Sequence, residues 1–389
     1  MAIPKNDACL DLQNSNNILG ELEIDLRKLG YAGPADFPKL IYLVLQSRRF
    51  KRVVSLVLKG PSGSGKSFAL SQALKFVPPA TYEYFGGMSE KAIVYSGLNL
   101  EHKHLVIGEA AGLSSGDGRA FLRQLLSEGE LRYLTVQKTD KGLSGAEVPR
   151  IKGPMGLIMT TTANALHPED ESRMLSLSMP ESADQTRLAL LSMAKGVTER
   201  YEVDFERWFA LDKITSEGCT EVAIPFAEQI AMQLPVTHHR VQRDFPQLLS
   251  LISSHALLHK CIRPRADDGA IMANLEDYSA VYSLVNSPFS EGLETAVAEP
   301  IRKVVEAVKE LSEEGKTNYA FENKVSQGAL AKKLGRDQSV ISRTLESAIA
   351  NGYLRNENPG QGKIASIVLG ERDLPQGYAL PDPETIAAT

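Results

Sequence analysis

The eight residues Gly60-Pro61-Ser62-Gly63-Ser64-Gly65-Lys66-Ser67 constrain this chain more than any other stretch. An apolar, β-branched run at 53–58 precedes them, and a helical pattern through Phe76 follows. Glycines at these spacings let backbone N–H groups wrap an anion, and a helix N-terminus adds a favourable dipole. Strand, glycine-rich turn and helix together form the context that G-x-x-x-x-G-K-[ST] requires. The pattern assigns Lys66 to the β- and γ-phosphates of ATP and Ser67 to Mg²⁺, with residues 60–67 as the nucleotide cradle.

The surrounding sequence extends this into an α/β core. Short apolar runs at 105–107 and 156–161, bounded by Gly or polar residues, read as buried parallel strands. Together with the run at 53–58 they place a P-loop core at 51–180. Residues 1–50 read as helical, with Leu19, Leu22, Leu26 and Leu29 at helical spacing and a break at Gly33-Pro34. Residues 181–292 are again helical and show little strand signal, most clearly at 245–259. A linker at 286–292 precedes a small unit at 296–370, and Pro375, Pro381 and Pro383 suggest a flexible tail at 371–389.

Charge bears on the choice of partner. The chain has 389 residues and a formal charge of −5, which argues against nucleic acid only if the charge is evenly spread. It is not: residues 181–295 hold 10 basic and 17 acidic groups, whereas 51–180 hold 15 and 12. No apolar run approaches the roughly 20 residues that cross a bilayer, and residues 1–13 lack a basic-then-apolar signal. Cys9, Cys219 and Cys261 are too few and too scattered for a disulfide framework or thiolate zinc site. These features predict a cytoplasmic protein with no membrane partner.

About 40 residues after the glycine-rich loop, His104-Leu-Val-Ile-Gly108-Glu109 reads as a strand ending in an acid. Glu109 is placed to polarise an attacking water beside the γ-phosphate. These residues resemble the AAA+ family. Two further stretches narrow the resemblance to MCM-like hexameric helicases and the primase-associated ATPases of bacterial mobile elements. The first, Ile158-Met-Thr-Thr-Thr162-Ala-Asn164 with Glu171-Ser-Arg173, implies a γ-phosphate sensor at Asn164 or a neighbouring Thr and an arginine finger at Arg173 for the adjacent subunit. The second, running from Arg243 through Phe245, Leu248 and Leu251 to His255-Ala256, resembles a lid helix and implies a second sensor at Arg243, with Arg240 in reserve. His255 and His259 stand four apart, but His-Ala-Leu-Leu-His has no Glu and no third ligand at motif spacing, so they are not read as a metal site. The resemblance implies an Asp where this chain has Gly108. It also implies a larger amino-terminal region than 1–50 for cellular MCM proteins, which favours a mobile-element ATPase.

Between the acidic and sensor strands, 132–152 reads as a β-hairpin. The expected strands are 132–138 and 148–152, with a turn at 139–145 and five basic groups against two acidic ones. In the family such a hairpin lies in a central channel, and Lys138 and Lys141 are its candidate contacts to single-stranded DNA. Within 296–370, helices at 299–314, 327–334 and 338–350, with Asp337 as N-cap, are followed by two short strands in winged-helix order. Arg343, Arg355 and Lys363 are the candidate duplex contacts there. The resulting expectation is a homo-hexameric, ATP- and Mg²⁺-dependent DNA helicase in mobile-element replication, with a primase as candidate partner. Its rivals are an initiator, helicase loader or remodeller without unwinding activity, and a nucleotide-sensing DNA-binding regulator favoured by the Gly at 108.

Overall fold

Strands whose side chains are apolar without alternation need cover on both faces, and a parallel sheet flanked by helices provides it. The computed structural model has this architecture. It describes residues 7–387 apart from 90, 110–116, 140–141, 149, 163–167, 180–182, 197–200, 236–239, 295–298, 318–324, 359–364, 372–373 and 375–379. In chain order the first strands are β1 (Leu56–Lys59), β2 (Tyr82–Phe85), β3 (Lys103–Ile107), β4 (Glu130–Leu131), β5 (Leu134–Thr139), β6 (Gly142–Glu147), β7 (Ile151–Lys152), β8 (Met155–Thr161) and β9 (Leu175–Ser178).

Five of these form one sheet in the order β2-β3-β8-β1-β9, and every pairing is parallel. β1 is buried at all four positions and β8 at all seven, as central strands must be. β1, β3 and β8 match the three apolar runs. β2 and β9 do not announce themselves, because Tyr82–Phe85 is partly exposed along its length and Leu175–Ser178 alternates Leu with Ser. Since β8 lies between β1 and β3, their carboxyl ends converge. The glycine-rich loop, Thr160–Thr162 and Gly108-Glu109 therefore meet on one edge, where ligands of open α/β sheets bind.

One face of the sheet packs Val57, Leu105, Ile107, Leu157 and Met159 against Phe121, Leu122 and Leu125 of the helix Asp117–Glu128. Truncating one of these leucines to Ala removes about 2–5 kcal/mol. Residues 1–50 are not a separate appendage. The helix Asp36–Gln46 is buried from Leu40 to Gln46, and Tyr42 meets Trp208 edge-on at 5.7 Å. Arg48 and Arg49 converge on Asp212 at 2.5 and 2.8 Å, all three nearly fully buried. Trp208 and Asp212 belong to the helix Phe205–Ser216, so the amino-terminal helices are bound to the segment that follows the core.

The hairpin exists, with different strands from those expected. β5 pairs antiparallel with β6 from Leu134↔Glu147 to Thr139↔Gly142, leaving only 140 and 141 between them. The expected turn at 139–145 holds Gly142, Ser144 and Gly145, yet the register set by the two-residue connection draws 142–147 into a strand. The return strand expected at 148–152 reduces to β7, which pairs with β4 at the hairpin's base. Leu134 and Val136 are 71% and 68% exposed, so the hairpin stands clear of the core.

The chain forms two units: Met1–Phe289 with Ala379–Thr389, and Ser290–Tyr378. The linker expected at 286–292 is helical instead, because the helix Leu275–Glu294 runs through Pro288. The flexible tail expected at 371–389 is also revised. Leu380 and Ile386 are buried, Tyr278 donates to the Pro381 carbonyl at 2.5 Å, and Thr385 bonds Gln233 at 3.0 Å, anchoring residues 380–387 to the first unit. A proline-rich composition signals a tail only when no apolar side chain finds a groove.

In the second unit the helices Glu299–Thr317, Gln327–Leu334 and Gln338–Ala350 enclose a core of Val304, Val308, Leu330, Ile341, Leu345 and Tyr353. The strands β12 (Leu354–Asn356) and β13 (Ile367–Leu369) pair antiparallel, numbered after the small parallel pair β10 (Val222–Ala223) and β11 (Ile271–Met272) of the first unit. Val325 bridges Ile367. Ser326 caps the second helix through Ala329 N–H, whereas Asp337 stands at the third helix's N-cap without a side-chain capping bond.

Candidate nucleotide-binding site

The glycine-rich loop leaves β1 at Lys59 and enters the helix Lys66–Leu74. Gly60, Gly63 and Gly65 have φ of +146°, +85° and +88°, which an L side chain rarely adopts. At Gly60 a Cβ would also lie 2.7 Å from the Met179 carbonyl oxygen. Backbone curvature and close approach thus account for the glycines before any ligand is invoked. The Lys66 ammonium is nearly buried and donates to the Gly60 and Pro61 carbonyls at 2.7 and 2.6 Å. That holds a full positive charge at the mouth of the loop.

A cavity of about 480 Å³ opens from this loop. Its lining brings Ser62–Phe68 together with Glu109, Thr160 and Thr162, three separate strand ends in one place. Thr160 donates its hydroxyl to the Gly108 carbonyl, tying β8 to the segment that presents Glu109. Glu109 is exposed to this cavity, and Ser67 is exposed at the start of the helix. Oxygen donors from Ser67 and Glu109 with room for water suit a hard cation such as Mg²⁺, which keeps several of its waters. Asn164 and Lys141 lie outside the described residues.

The far end of the cavity is apolar, and apart from the Gly33-Pro34 break its residues belong to no motif in the sequence. Tyr31 and Pro34 come from the loop after the second amino-terminal helix, and Ala189 and Met193 from the helix Ala183–Gly196. Tyr31 stacks on Phe68 with centroids 5.9 Å apart and planes at 23°. Burial pushes the Tyr31 phenol up to about 12, so it stays neutral. Arg27 donates to the Tyr31 and Gly33 carbonyls, both at 2.8 Å, and Ser192 donates to the Gly30 carbonyl at 2.6 Å, which fixes this wall. The Gly33-Pro34 break carried a signal of a turn but none of what the turn would face.

Gly108 has a local explanation. A Cβ there would lie 2.6 Å from the Tyr84 hydroxyl and 3.4 Å from the Gly86 Cα. The tyrosine on the neighbouring strand occupies the space in which an acidic side chain would begin.

Arg173 and Arg243 do not line the loop's cavity. They meet in a second one of about 470 Å³, along with Arg52, Lys51, Ser127 and Gln247. Arg173 donates to the Ser127 hydroxyl and lies 3.6 Å from Glu169, while Arg243 donates to the Ser172 hydroxyl. The Nε of Arg173 and the Oε1 of Gln247 are buried with no hydrogen-bond partner among the described residues. Arg243 sits in the first turn of the helix Val241–Leu258, whose Leu248 and Leu251 are fully buried as the helical spacing requires. Asp244 beside it is pushed up to about 6 by burial, against the pull of Arg240 and Arg243. Arg240 instead pairs with Asp244 at 3.1 Å.

Farther along that helix, His255 and His259 gain the third group that motif spacing did not supply. Asp277 lies 2.7 Å from His255 Nδ1, and the three ligand atoms fall within 4.8 Å of one another. Each is already engaged: Arg263 donates to both Asp277 oxygens at 2.7 and 3.1 Å, the Asn274 N–H adds a third bond, and His259 Nδ1 bonds the His255 carbonyl. This cluster is an internal ion-pair network joining two helices.

Of the DNA candidates, Lys138 lies on β5 opposite Leu143, and Lys363 falls outside the described residues. Arg343 is exposed on the helix Gln338–Ala350, and Arg355 is exposed on β12, paired with Glu357 at 3.0 Å. No helix among the described residues is long and apolar enough to cross a membrane.

No family model matches the chain, and no curated protein matches it. Among solved structures it is similar to one described as "SCCmec type IV Cch - active helicase", with 11% identity and a TM-score of 0.43 over 94% of this chain and 72% of that one. It is also similar to a full-length MCM homolog from Methanopyrus kandleri, with 14% identity and a TM-score of 0.42 over 75% of this chain and 63% of that one.

Proposed function

We propose that this chain is a P-loop ATPase that assembles into a homo-hexameric ring and acts as a DNA helicase or translocase in the replication of a mobile element. The observation that carries this reading is the division of parts between two cavities. Lys66, Ser67, Glu109, Thr160 and Thr162 share one, while Arg173 and Arg243 share another. A cation aimed away from its own phosphate loop suits a role in a neighbour's site.

In this reading the triphosphate lies along Gly60–Ser67, with Lys66 turning from the loop carbonyls to the β- and γ-oxygens. The base enters the apolar end formed by Tyr31, Pro34, Phe68, Ala189 and Met193, which gives residues 1–50 a direct part in substrate binding. Mg²⁺ at Ser67 would neutralise phosphate charge. Glu109 accepts a proton from the attacking water, and Thr160 holds the Gly108 carbonyl so that the carboxylate keeps its aim. Arg173 and Arg243 of the adjacent copy stabilise the charge of phosphoryl transfer, which makes turnover depend on assembly.

The hairpin of β5 and β6 is assigned to the DNA strand through Lys138 and Lys141, a contact to phosphates that needs no base readout. The second unit's order of helices, with Val325 bridging β13, supports a winged helix in which Arg343 and Arg355 meet duplex phosphates. A primase is the candidate partner of the motor.

Two measurements test the proposal together: ATP turnover with and without single-stranded DNA, and the mass of the protein in ATP. Stimulation with a ring-sized mass is the expected result. DNA-independent turnover by a monomer would refute the motor. The exposed Arg343 helix also fits an initiator or loader that uses the winged helix to choose a site, and strand displacement on a forked substrate separates the two.

A further inference from the structure

Lys59 and Glu171 form an ion pair whose side chains are 4% and 3% exposed. Removing two charges from water is costly, and an apolar pair of similar volume often holds a fold as well or better. The pair therefore calls for a reason other than stability, and its position supplies one. Lys59 is the last residue of β1, and the next residue, Gly60, offers its carbonyl to the Lys66 ammonium at 2.7 Å. Glu171 ends the helix Pro168–Glu171, takes a second hydrogen bond from the Ser176 hydroxyl at 3.0 Å, and stands two residues before Arg173.

The two ends of Arg173 are held differently. Its backbone is fixed near the buried pair: Arg173 N–H bonds the Asp170 carbonyl at 3.1 Å, and Met174 N–H bonds that of Glu171 at 3.2 Å. Its guanidinium rests on groups nearer the surface, Ser127 and a Glu169 that also engages Arg123. Arg173 is itself only 22% exposed and its Nε is buried, but both of these partners lie at the surface, where such contacts exchange readily. The buried link is stiff and the outer contacts are replaceable, which is what a shift transmitted from the loop to the guanidinium requires.

We infer that Lys59 and Glu171 are a positioning pair that couples this chain's own phosphate loop to the presentation of its Arg173 toward a second copy of the chain. The inference rests on the reading of Arg173 as a group that acts on a neighbour. When the loop holds a triphosphate, Lys66 leaves the Gly60 carbonyl, the end of β1 readjusts, and the Lys59–Glu171 bridge carries the readjustment to the Arg173 tether. A subunit with an empty loop then presents its arginine differently from one that is loaded, so sites around an assembly fire in a dependent order.

Mixing full-length variants tests this. Arg173→Ala keeps its own loop and lacks the arginine, whereas Lys66→Ala cannot turn over ATP in its own loop but, with no ammonium on the Gly60 carbonyl, has the released loop of the loaded state and so presents its arginine. Recovery of ATP turnover when the two are mixed establishes action in trans, and its absence refutes that reading of Arg173. With that recovery in hand, Glu171→Gln alone should turn over ATP about tenfold more slowly or worse, and bind a fluorescent ATP analogue within about twofold of the parent. Mixed with Lys66→Ala it should recover as Arg173→Ala does, and mixed with Arg173→Ala it should not. Failure of the first mixture, recovery in the second, or a large loss of analogue binding overturns the coupling. Lys59→Met/Glu171→Met replaces the pair with apolar bulk and should fold at least as firmly while showing the same mixing pattern. Parent-like turnover in that double variant also overturns the proposal.

Discussion

Gly108→Ala is a sharp test of why this chain lacks an acid before Glu109. The position is not in the left-handed region, so alanine meets no backbone strain there, and the loss of unfolded-state freedom should stabilise the protein by about 0.4–1 kcal/mol. Against that stands the 2.6 Å approach of the new Cβ to the Tyr84 hydroxyl. Overpacking of this kind typically costs about 1–3 kcal/mol. The low end applies here, because the obstructing atom is the tip of a side chain that is 52% exposed and can swing. The two effects leave Gly108→Ala near neutral to about 0.6 kcal/mol destabilising in the parent. In a Tyr84→Phe background the obstruction is gone and the entropic gain remains, so the same substitution should stabilise. Urea unfolding of the parent, both single variants and the double variant gives the coupling energy, expected at about 1 kcal/mol. Additivity within about 0.3 kcal/mol would show that Tyr84 does not exclude a side chain at 108. With coupling present, Gly108→Asp should likewise be less destabilising by about 1 kcal/mol when Tyr84 is Phe.

Three further expectations follow from the geometry. Glu109→Gln should retain binding of a fluorescent ATP analogue and lose roughly 10²-fold or more in turnover, and retained hydrolysis would remove Glu109 from the base role. Replacing Lys138 and Lys141 by Ala should lower the salt dependence of single-strand binding by about 1.4 in log–log slope, the share of two phosphate contacts, and an unchanged slope would take the hairpin off the strand. Stability should fall with acid. Burial pulls His104 down to about 3 and His259 down to about 4, so the unfolded chain takes up these two protons as pH drops below 6.5 while the folded chain resists. Asp244, raised to about 6, acts in the opposite direction, because its folded carboxyl is protonated first between about 6 and 4. The net is about one proton, or about 1.4 kcal/mol per pH unit in that window, measurable from urea midpoints. Asp244→Asn should steepen the loss toward about 2.7 kcal/mol per unit, and a shallower profile would contradict the assignment of these groups.

Much of the core was legible because it depends on short-range pattern. The runs at 53–58, 105–107 and 156–161 are short, apolar without alternation and bounded by Gly or polar residues, the pattern of interior strands, and they became β1, β3 and β8. Leu248 and Leu251, three apart, could only share a buried helical stripe. Where local chemistry was ambiguous, pairing decided. Gly142, Ser144 and Gly145 favour a turn in isolation, but a two-residue connection and the register with β5 make them a strand. The prolines after 370 favour a loose end, but Leu380 and Ile386 found cover against the first unit.

The sequence alone determined the glycine-rich loop, because its glycines, lysine and serine stand within eight adjacent residues and need only a strand before and a helix after. It equally determined that Glu109 follows closely on a buried strand, two residues beyond the end of β3, and that Arg173 and Arg243 lie far from the loop in the chain. Only the tertiary structure decided which of these share a space. The insertion of β8 between β1 and β3 brings Thr160, Thr162 and Glu109 to Ser67, and the fold of residues 1–50 brings Tyr31 to Phe68. It also gathers Arg52, Arg173 and Arg243 into a second cavity, and it places a tyrosine hydroxyl where an acid at 108 would stand. Convergence of this kind depends on strand order and packing across dozens of residues, and no local spacing encodes it.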